Sequence, residues 1–137
     1  MANDNSVAVI IELFDGGRPV RFTCAEAASI PKGTLLHIHD LRTAVASHAD
    51  NDMFCGVCAM EKVGGDGSTC VTAYTCGIFD IEQLTAVTNV AGERVSLAGA
   101  NIVSKCAASD LLFADVGISL EDASAEEHFA CLIGSGL

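Results

Sequence analysis

Residues 69–80 read TCVTAYTCGIFD, and this stretch decides the fold class. Its small and apolar side chains alternate with a period of two, so that Val71, Ala73 and Thr75 share one face. That period is typical of a β-strand with one covered face. Gly77 interrupts the alternation and indicates a bulge or a point where another backbone approaches closely. The middle of the chain is therefore predicted to be strand, interrupted once.

Further strand-like runs lie on both sides of this stretch, and turn residues separate them roughly every ten positions, as in barrels and sandwiches. The strongest turn signal is Gly64-Gly65-Asp66-Gly67. The break at Asp15-Gly16-Gly17 predicts a hairpin between the two runs that flank it. We predict strands over 7–14, 18–23, 34–39, 43–47, 53–60, 95–97, 116–120 and 128–133.

Helical periodicity is weak, and the sequence shows no evident internal repeat. Short helical turns are expected over 27–29, 81–87 and 109–113. We therefore predict a mainly β fold, a single small β-barrel or sandwich domain with short helical turns that spans residues 7–137. Residues 1–6 are polar and without periodicity, which predicts a flexible N-terminal arm.

The charge balance argues against several classes of function. The chain has 7 Lys and Arg residues against 18 Asp and Glu, a net charge of −11, whereas nucleic-acid binding needs clustered basic residues. No run of about 18 apolar residues occurs, so a membrane-spanning helix is not expected. The polar start, residues 1–6, differs from a secretory signal. We expect a compact acidic domain that binds neither nucleic acid nor membrane.

The seven cysteines are odd in number and lie mostly within apolar alternation. We expect reduced, mostly buried thiols without disulfides, because free cysteine behaves as a small apolar residue. A metal site is the alternative. Cys55-Gly56-Val57-Cys58 has the spacing of half a zinc site, and His37-Ile38-His39 places two imidazoles on one face of a strand, with His48 nearby in the sequence. These pairs define a second hypothesis, a small metal- or thiol-dependent protein.

The sequence offers no self-consistent set of catalytic residues. A Gly-x-Ser-x-Gly motif is absent, and the Gly-rich turn at 64–67 lacks the Lys-Ser or Lys-Thr of a phosphate-binding loop. The acidic segment 121–127 lacks the glycine of a calcium loop and is expected to be a solvated turn. With no Trp and a single Tyr, an aromatic platform for sugars or bases is not expected. We predict that the chain is not an enzyme and binds no cofactor or metal.

Several segments, taken in order, resemble a known family. Residues 30–36, Ile-Pro-Lys-Gly-Thr-Leu-Leu, and residues 40–44, Asp-Leu-Arg-Thr-Ala, are similar to the opening of the small capsid decoration (cement) proteins of tailed phages and related proviruses. The seven cysteines, Ser119, Glu126 and the N-terminal run depart from the family pattern. Later segments that follow the order of that family are 54–59, 66–69, 75–80, 91–95 and 116–127.

The resemblance implies a small β fold, homotrimers on the exterior of a viral capsid, contacts with the major capsid protein, and no catalytic residues. It implies a structural virion protein that is made in the host cytoplasm, binds the outside of the capsid and stabilises the shell. An acidic chain suits that position, because net charge keeps free subunits soluble and gives no affinity for the packaged genome.

The N-terminal segment is the predicted contact with the capsid or with a neighbouring decoration subunit. Residues 2–6 are polar, whereas the run 7–14 is too apolar to remain exposed. Such a run can complete a neighbour's sheet by backbone pairing, or it can pair with 20–23 of its own chain, and both alternatives stay open. The predicted contact residues are Ala2, Asn3, Asp4, Asn5, Ser6 and Val7.

Overall fold

The computed structural model describes residues 7–48, 53–83, 90–105, 115–122 and 128–134. Within these ranges the chain is mainly β, as predicted, and its one helical element is a 3-10 turn at Asp15–Gly17. A helix able to cross a membrane is not found in them. The strands are β1 (Val9–Leu13), β2 (Val20–Thr23), β3 (Leu35–Asp40), β4 (Thr43–Ala46), β5 (Phe54–Cys58), β6 (Cys70–Tyr74), β7 (Gly77–Gln83), β8 (Arg94–Gly99), β9 (Ile102–Lys105), β10 (Asp115–Ser119) and β11 (His128–Ile133).

Two of the expected helical turns are wrong where the structure describes them. Phe79, Ile81 and Gln83 are buried at every second position and continue strand β7, instead of starting a helix at residue 81. Residues 27–29 belong to a loop without helix between β2 and β3. The turn expected over 109–113 lies outside the described residues.

Ten of the strands form two five-stranded barrels that are connected in the same order. Barrel I comprises β2 to β6 and closes in the order β2-β4-β3-β5-β6. Barrel II comprises β7 to β11 in the order β7-β11-β10-β8-β9, and the pairing of β7 with β9 closes it. In each barrel the first and third strands pair in parallel, and the other described pairs are antiparallel. The second half of the chain therefore repeats the topology of the first.

The repeat extends to individual turns and hydrogen bonds. Gly33 and Gly92 occupy the same turn before β3 and β8, with φ angles of 91° and 94°. The Gly33 N–H donates to the Cys58 carbonyl oxygen at 2.9 Å, and the Gly92 N–H donates to that of Ser119 at 2.7 Å. Of these two pairs of equivalent positions, the glycine is identical in both barrels, whereas the residue that accepts its hydrogen bond differs. The sequence shows no evident internal repeat because the two barrels share geometry and not residue identity.

The two barrels pack together through outward-pointing side chains of barrel I. Successive residues of a strand point to opposite faces, so one face of a barrel I strand lines its own core and the other face points outward. The outward-pointing side chains that pack into the core of barrel II are those of Leu35, Val57 and Tyr74. Asn101, in the turn between β8 and β9, accepts a hydrogen bond from the Leu35 N–H at 2.9 Å and donates its own N–H to Ser47 Oγ at 3.1 Å. The barrel I core is Phe22, Cys24, Ile30, Leu36, Ala44, Cys58, Val71 and Ala73, and barrel II contributes Phe79, Ile81, Val95, Leu97, Val103, Val116, Phe129, Cys131 and Ile133 to the other core.

Strand β1 does not pair with β2, so the predicted hairpin is wrong. It runs antiparallel to β7 of barrel II, with Val9 opposite Asp80. The 3-10 turn that follows β1 packs against barrel I. Its Gly17 is buried there, so close to Tyr74 that a Cβ atom would collide with the ring. The chain thus leaves barrel II after β1 and enters barrel I at β2, and the alternative of pairing with 20–23 is excluded.

Candidate functional site

Strand β1 lies at the edge of its sheet and carries an apolar side that faces solvent. The side chains of Ile10 and Leu13 pack against the barrel II core. Val9 is 57% exposed and Ile11 is 54% exposed. The register shifts between Ile10 and Glu12, as in a β-bulge. An exposed apolar edge strand is a place where another strand can pair.

Gly77 allows β1 to lie close to β7. Its φ angle is 144°, and a Cβ atom built there would lie 2.7 Å from the Glu12 carbonyl oxygen and 3.2 Å from Leu13 Cδ2. The sequence predicted a bulge or a close approach at Gly77, and the close approach is confirmed.

The residues just before β1 cross the surface of barrel I at Gly33. The Ala8 N–H donates to the Gly33 carbonyl oxygen at 2.8 Å. A Cβ atom on Gly33 would collide with the Ala8 carbonyl oxygen and would lie 3.1 Å from Val7 Cβ. A groove of about 360 Å³ opens here, and its lining is mostly apolar. The lining residues are Val7, Ala8, Val9, Ile10, Lys32, Gly33, Val57 and Cys58.

The predicted contact segment is described only at its end. Residues 2–6, which comprise Ala2, Asn3, Asp4, Asn5 and Ser6, lie outside the described residues. Val7 is half-buried and lines the groove beside Gly33. Val7, the last of the predicted contact residues, thus lies against barrel I of its own chain, and its contact with a capsid or neighbouring subunit stays a prediction. Sequence reasoning missed Gly33, whose contact with the N-terminal segment joins positions that are distant in the sequence.

The histidines of the metal hypothesis lie near one another. His37 is buried and its ring is 6.4 Å from that of His39, which is exposed. The ring of His48 lies 5.0 Å from that of His37. Over the described ranges, no three His, Cys, Asp or Glu side chains are placed to hold a metal ion. The structure therefore does not bring His37, His39, Cys55 and Cys58 together as a tetrahedral site.

The cysteines are mostly buried, as predicted. Burial raises the pKa of Cys55 to about 12. Burial also raises the pKa of Cys58, and a backbone hydrogen bond from Met60 acts in the opposite direction. The Cys58 thiol donates to the Met60 carbonyl oxygen at 3.0 Å. A thiol with so high a pKa is a poor nucleophile at neutral pH. The described thiols are Cys24, Cys58, Cys76 and Cys131, which are buried, Cys55, which is half-buried, and Cys70, which is exposed.

Lys62 ties together two loops of barrel I. Its buried Nζ donates to the Glu26 carbonyl oxygen at 2.8 Å, to the Val63 carbonyl oxygen at 3.0 Å and to Asp66 Oδ1 at 2.9 Å. The hydrogen bonds that Asp66 accepts from Lys62 and from the Ser68 N–H lower the pKa of its carboxyl group. This contact could not be predicted from the sequence, because a lone lysine beside a Gly-rich turn is normally solvated.

The candidate site is therefore the surface formed by β1 and the groove beside Gly33. It offers a strand with a sheet partner on one side, two exposed apolar side chains, and an adjoining apolar groove. Such a surface binds extended segments through backbone hydrogen bonds and side-chain contacts. The chain matches no protein-family model, and no curated protein matches it.

Proposed function

We propose that this chain is a decoration protein that binds the outside of a viral capsid, contacts the major capsid protein and stabilises the shell. The observation that carries the proposal is the position of β1, an edge strand with Val9 and Ile11 exposed that follows the predicted contact residues 2–6. The resemblance of segments such as 30–36 and 75–80 to capsid decoration proteins supports the same function.

Docking through β1 is physically coherent. A shell strand that pairs with its open edge would satisfy backbone groups and cover Val9 and Ile11. Each Å² of apolar surface removed from water contributes about 25 cal/mol. Residues 2–6 would extend the contact beyond the strand. The net charge of −11 keeps free subunits apart in solution until they reach the shell.

A homotrimer is the proposed assembled form. A chain of 137 residues has a high ratio of surface to volume, and this one leaves large apolar side chains exposed. Closed cyclic symmetry is the usual way to cover such side chains. Decorated particles imaged by cryo-electron microscopy would contradict the trimer if they carried isolated monomers without mutual contacts.

The function is tested on shells assembled from the major capsid protein that is encoded in the same genome. Native chain, a variant lacking residues 2–6, and the double variant Val9→Asp with Ile11→Asp are each mixed with shells and sedimented. The matched control is Leu41→Asp, because Leu41 is 90% exposed at the turn between β3 and β4. We expect the native chain and the control to sediment with the shells and both N-terminal variants to lose occupancy.

Two results would contradict parts of the proposal. If the native chain leaves the shells bare, the decoration function is wrong. If all variants bind as the native chain does, the decoration function stands, but contact through residues 2–6 and β1 is wrong.

A further inference from the structure

The two barrels carry equivalent surfaces, and among the residues that the structure describes only the surface of barrel I is crossed by another segment of the chain. In barrel I the surface around Gly33 and Val57 is crossed by the segment Val7–Ala8. The equivalent positions in barrel II are Gly92 and Ile118, because their turns and strand pairings repeat those of barrel I. We define the Gly92 surface as this equivalent region of barrel II, which is formed by Val90, Gly92, Ile118 and Leu120.

The Gly92 surface is open and apolar. A Cβ atom built on Gly92 meets nothing within 4 Å, whereas one on Gly33 would collide with the Ala8 carbonyl oxygen. Val90 is 56% exposed and Leu120 is 42% exposed. The hydrogen bond from the Gly92 N–H to the Ser119 carbonyl oxygen holds the turn that contains Val90 beside the segment that contains Leu120. The segment that crosses the equivalent surface of barrel I, Val7–Ala8, is apolar and leads directly into strand β1.

Acidic side chains surround the Gly92 surface. Asp122 accepts a hydrogen bond from the Ala91 N–H at 2.9 Å, and Glu93 accepts one from the Val90 N–H at 2.7 Å. Glu121 is exposed directly after Leu120, and Arg94 is the one basic residue in the segments 90–94 and 118–122. At this surface, three carboxylates against one guanidinium favour a cationic occupant and disfavour an acidic one, such as the same surface of a second copy.

We propose that the Gly92 surface binds an extended segment of another protein that combines apolar and basic side chains. The apolar side chains would take the place that Val7 holds at Gly33, and the basic ones would lie against Glu93, Glu121 and Asp122. Such a surface would exist whether or not the chain binds a viral shell.

The probe is a synthetic peptide that copies residues 7–11 and carries two lysines at each end. Its binding to the full chain is measured by fluorescence anisotropy at low and physiological salt. We expect the native chain to bind it, and the double variant Val90→Ser with Leu120→Ser to bind roughly tenfold more weakly, because two apolar contacts are lost without a change in charge. Leu41→Ser removes an exposed apolar side chain from barrel I and should bind as the native chain does.

A second peptide, with glutamates in place of the lysines, separates charge from apolar contact and should bind at least roughly tenfold more weakly than the lysine form. Circular dichroism of each variant checks that it is folded. Equal binding of the lysine peptide to native chain and double variant would overturn the proposal, as would no binding to the native chain. Self-association of the native chain that the double variant abolishes would also overturn it, since the occupant would then be a second copy.

Discussion

At the scale of single residues, the side chain of Gln83 is fully buried at the end of β7, and within the described part of the chain neither its Nε2 nor its Oε1 has a hydrogen-bond partner. A buried polar group without a partner costs about 1–3 kcal/mol. We expect Gln83→Met, which is similar in size and apolar, to raise the free energy of unfolding by roughly 1–2 kcal/mol. Urea unfolding followed by far-UV circular dichroism measures the change.

Gln83→Glu is the matched control for this prediction. It keeps the shape of the side chain but places an ionisable carboxyl group in the same apolar environment, so it should lower the free energy of unfolding. If Gln83→Met is instead less stable than the native chain, the amide makes a favourable interaction and the prediction is wrong.

The contact between Lys62 and Asp66 predicts a dependence of stability on pH. The hydrogen bond from Lys62 lowers the pKa of Asp66 in the folded chain relative to the unfolded chain. The ionised carboxylate therefore stabilises the fold above the ordinary aspartate pKa of about 3.9, and this contribution is lost as pH falls through the lowered pKa. We expect the free energy of unfolding to fall in that acidic range.

Asp66→Asn isolates this contribution. At neutral pH the variant should be less stable than the native chain, because asparagine accepts a weaker hydrogen bond from Lys62 than a carboxylate does. As the pH falls below about 4, the two unfolding free energies should converge. A difference that stays constant from pH 7 to acid would contradict the assignment of this pH dependence to Asp66.

At the scale of elements, strands β2 and β7 are equivalent, but they differ at one edge. The edge of β7 pairs with β1, whereas the same edge of β2 carries features that prevent strand pairing. Residue 19 is a proline and has no N–H, and Arg42 Nε donates to the Arg21 carbonyl oxygen at 3.0 Å. In barrel II the equivalent residues, Ile78 and Asp80, lie opposite β1. Prolines and charged side chains at an edge discourage unwanted strand pairing. We expect Pro19→Ile combined with Arg42→Asn to increase self-association in sedimentation velocity.

Asparagine suits position 42 because Asn101 occupies the equivalent turn position with φ 61°, close to the φ of 47° at Arg42. Arg18→Asn is the control, since it removes a positive charge at another exposed residue with positive φ, 44°. A double variant that remains as monodisperse as this control would show that the β2 edge needs no such protection.

The strands could be predicted from the sequence more fully than their partners. Residues 128–133 were predicted as a strand and form β11, because alternation depends only on neighbouring residues. The pairing of β1 with β7 and the repeat of the barrels depend on contacts between distant segments, which alternation does not encode. For the candidate site too, contacts between distant segments could not be predicted from the sequence. Val7 was predicted to contact the capsid or a neighbouring subunit, whereas the groove that it lines beside Gly33 forms only when the N-terminal segment meets barrel I, which the sequence pattern does not reveal.

At the scale of the whole molecule, side chains of barrel I complete the apolar core of barrel II, and hydrogen bonds bridge the two barrels. Leu35, Val57 and Tyr74 of barrel I pack into the core of barrel II. Strand β1 is bonded to β7, while Ala8 just before it is bonded to Gly33 of barrel I. Neither barrel can unfold without exposing apolar surface of the other, so we expect a single unfolding transition. Tyr74, the single tyrosine in a chain without tryptophan, reports on this contact by its fluorescence.

Asn101→Gly tests the coupling of the barrels. Glycine accepts the φ of 61° at this position, but the variant removes the oxygen that accepts the Leu35 N–H at 2.9 Å. We expect the free energy of unfolding to fall by about 1–3 kcal/mol, with Tyr74 fluorescence and circular dichroism still changing together. Arg42→Gly, at the equivalent turn of barrel I, is the control and should cost less, because its exposed side chain bonds only within its own barrel. Separate transitions for the two signals in the native chain would show that the barrels unfold independently.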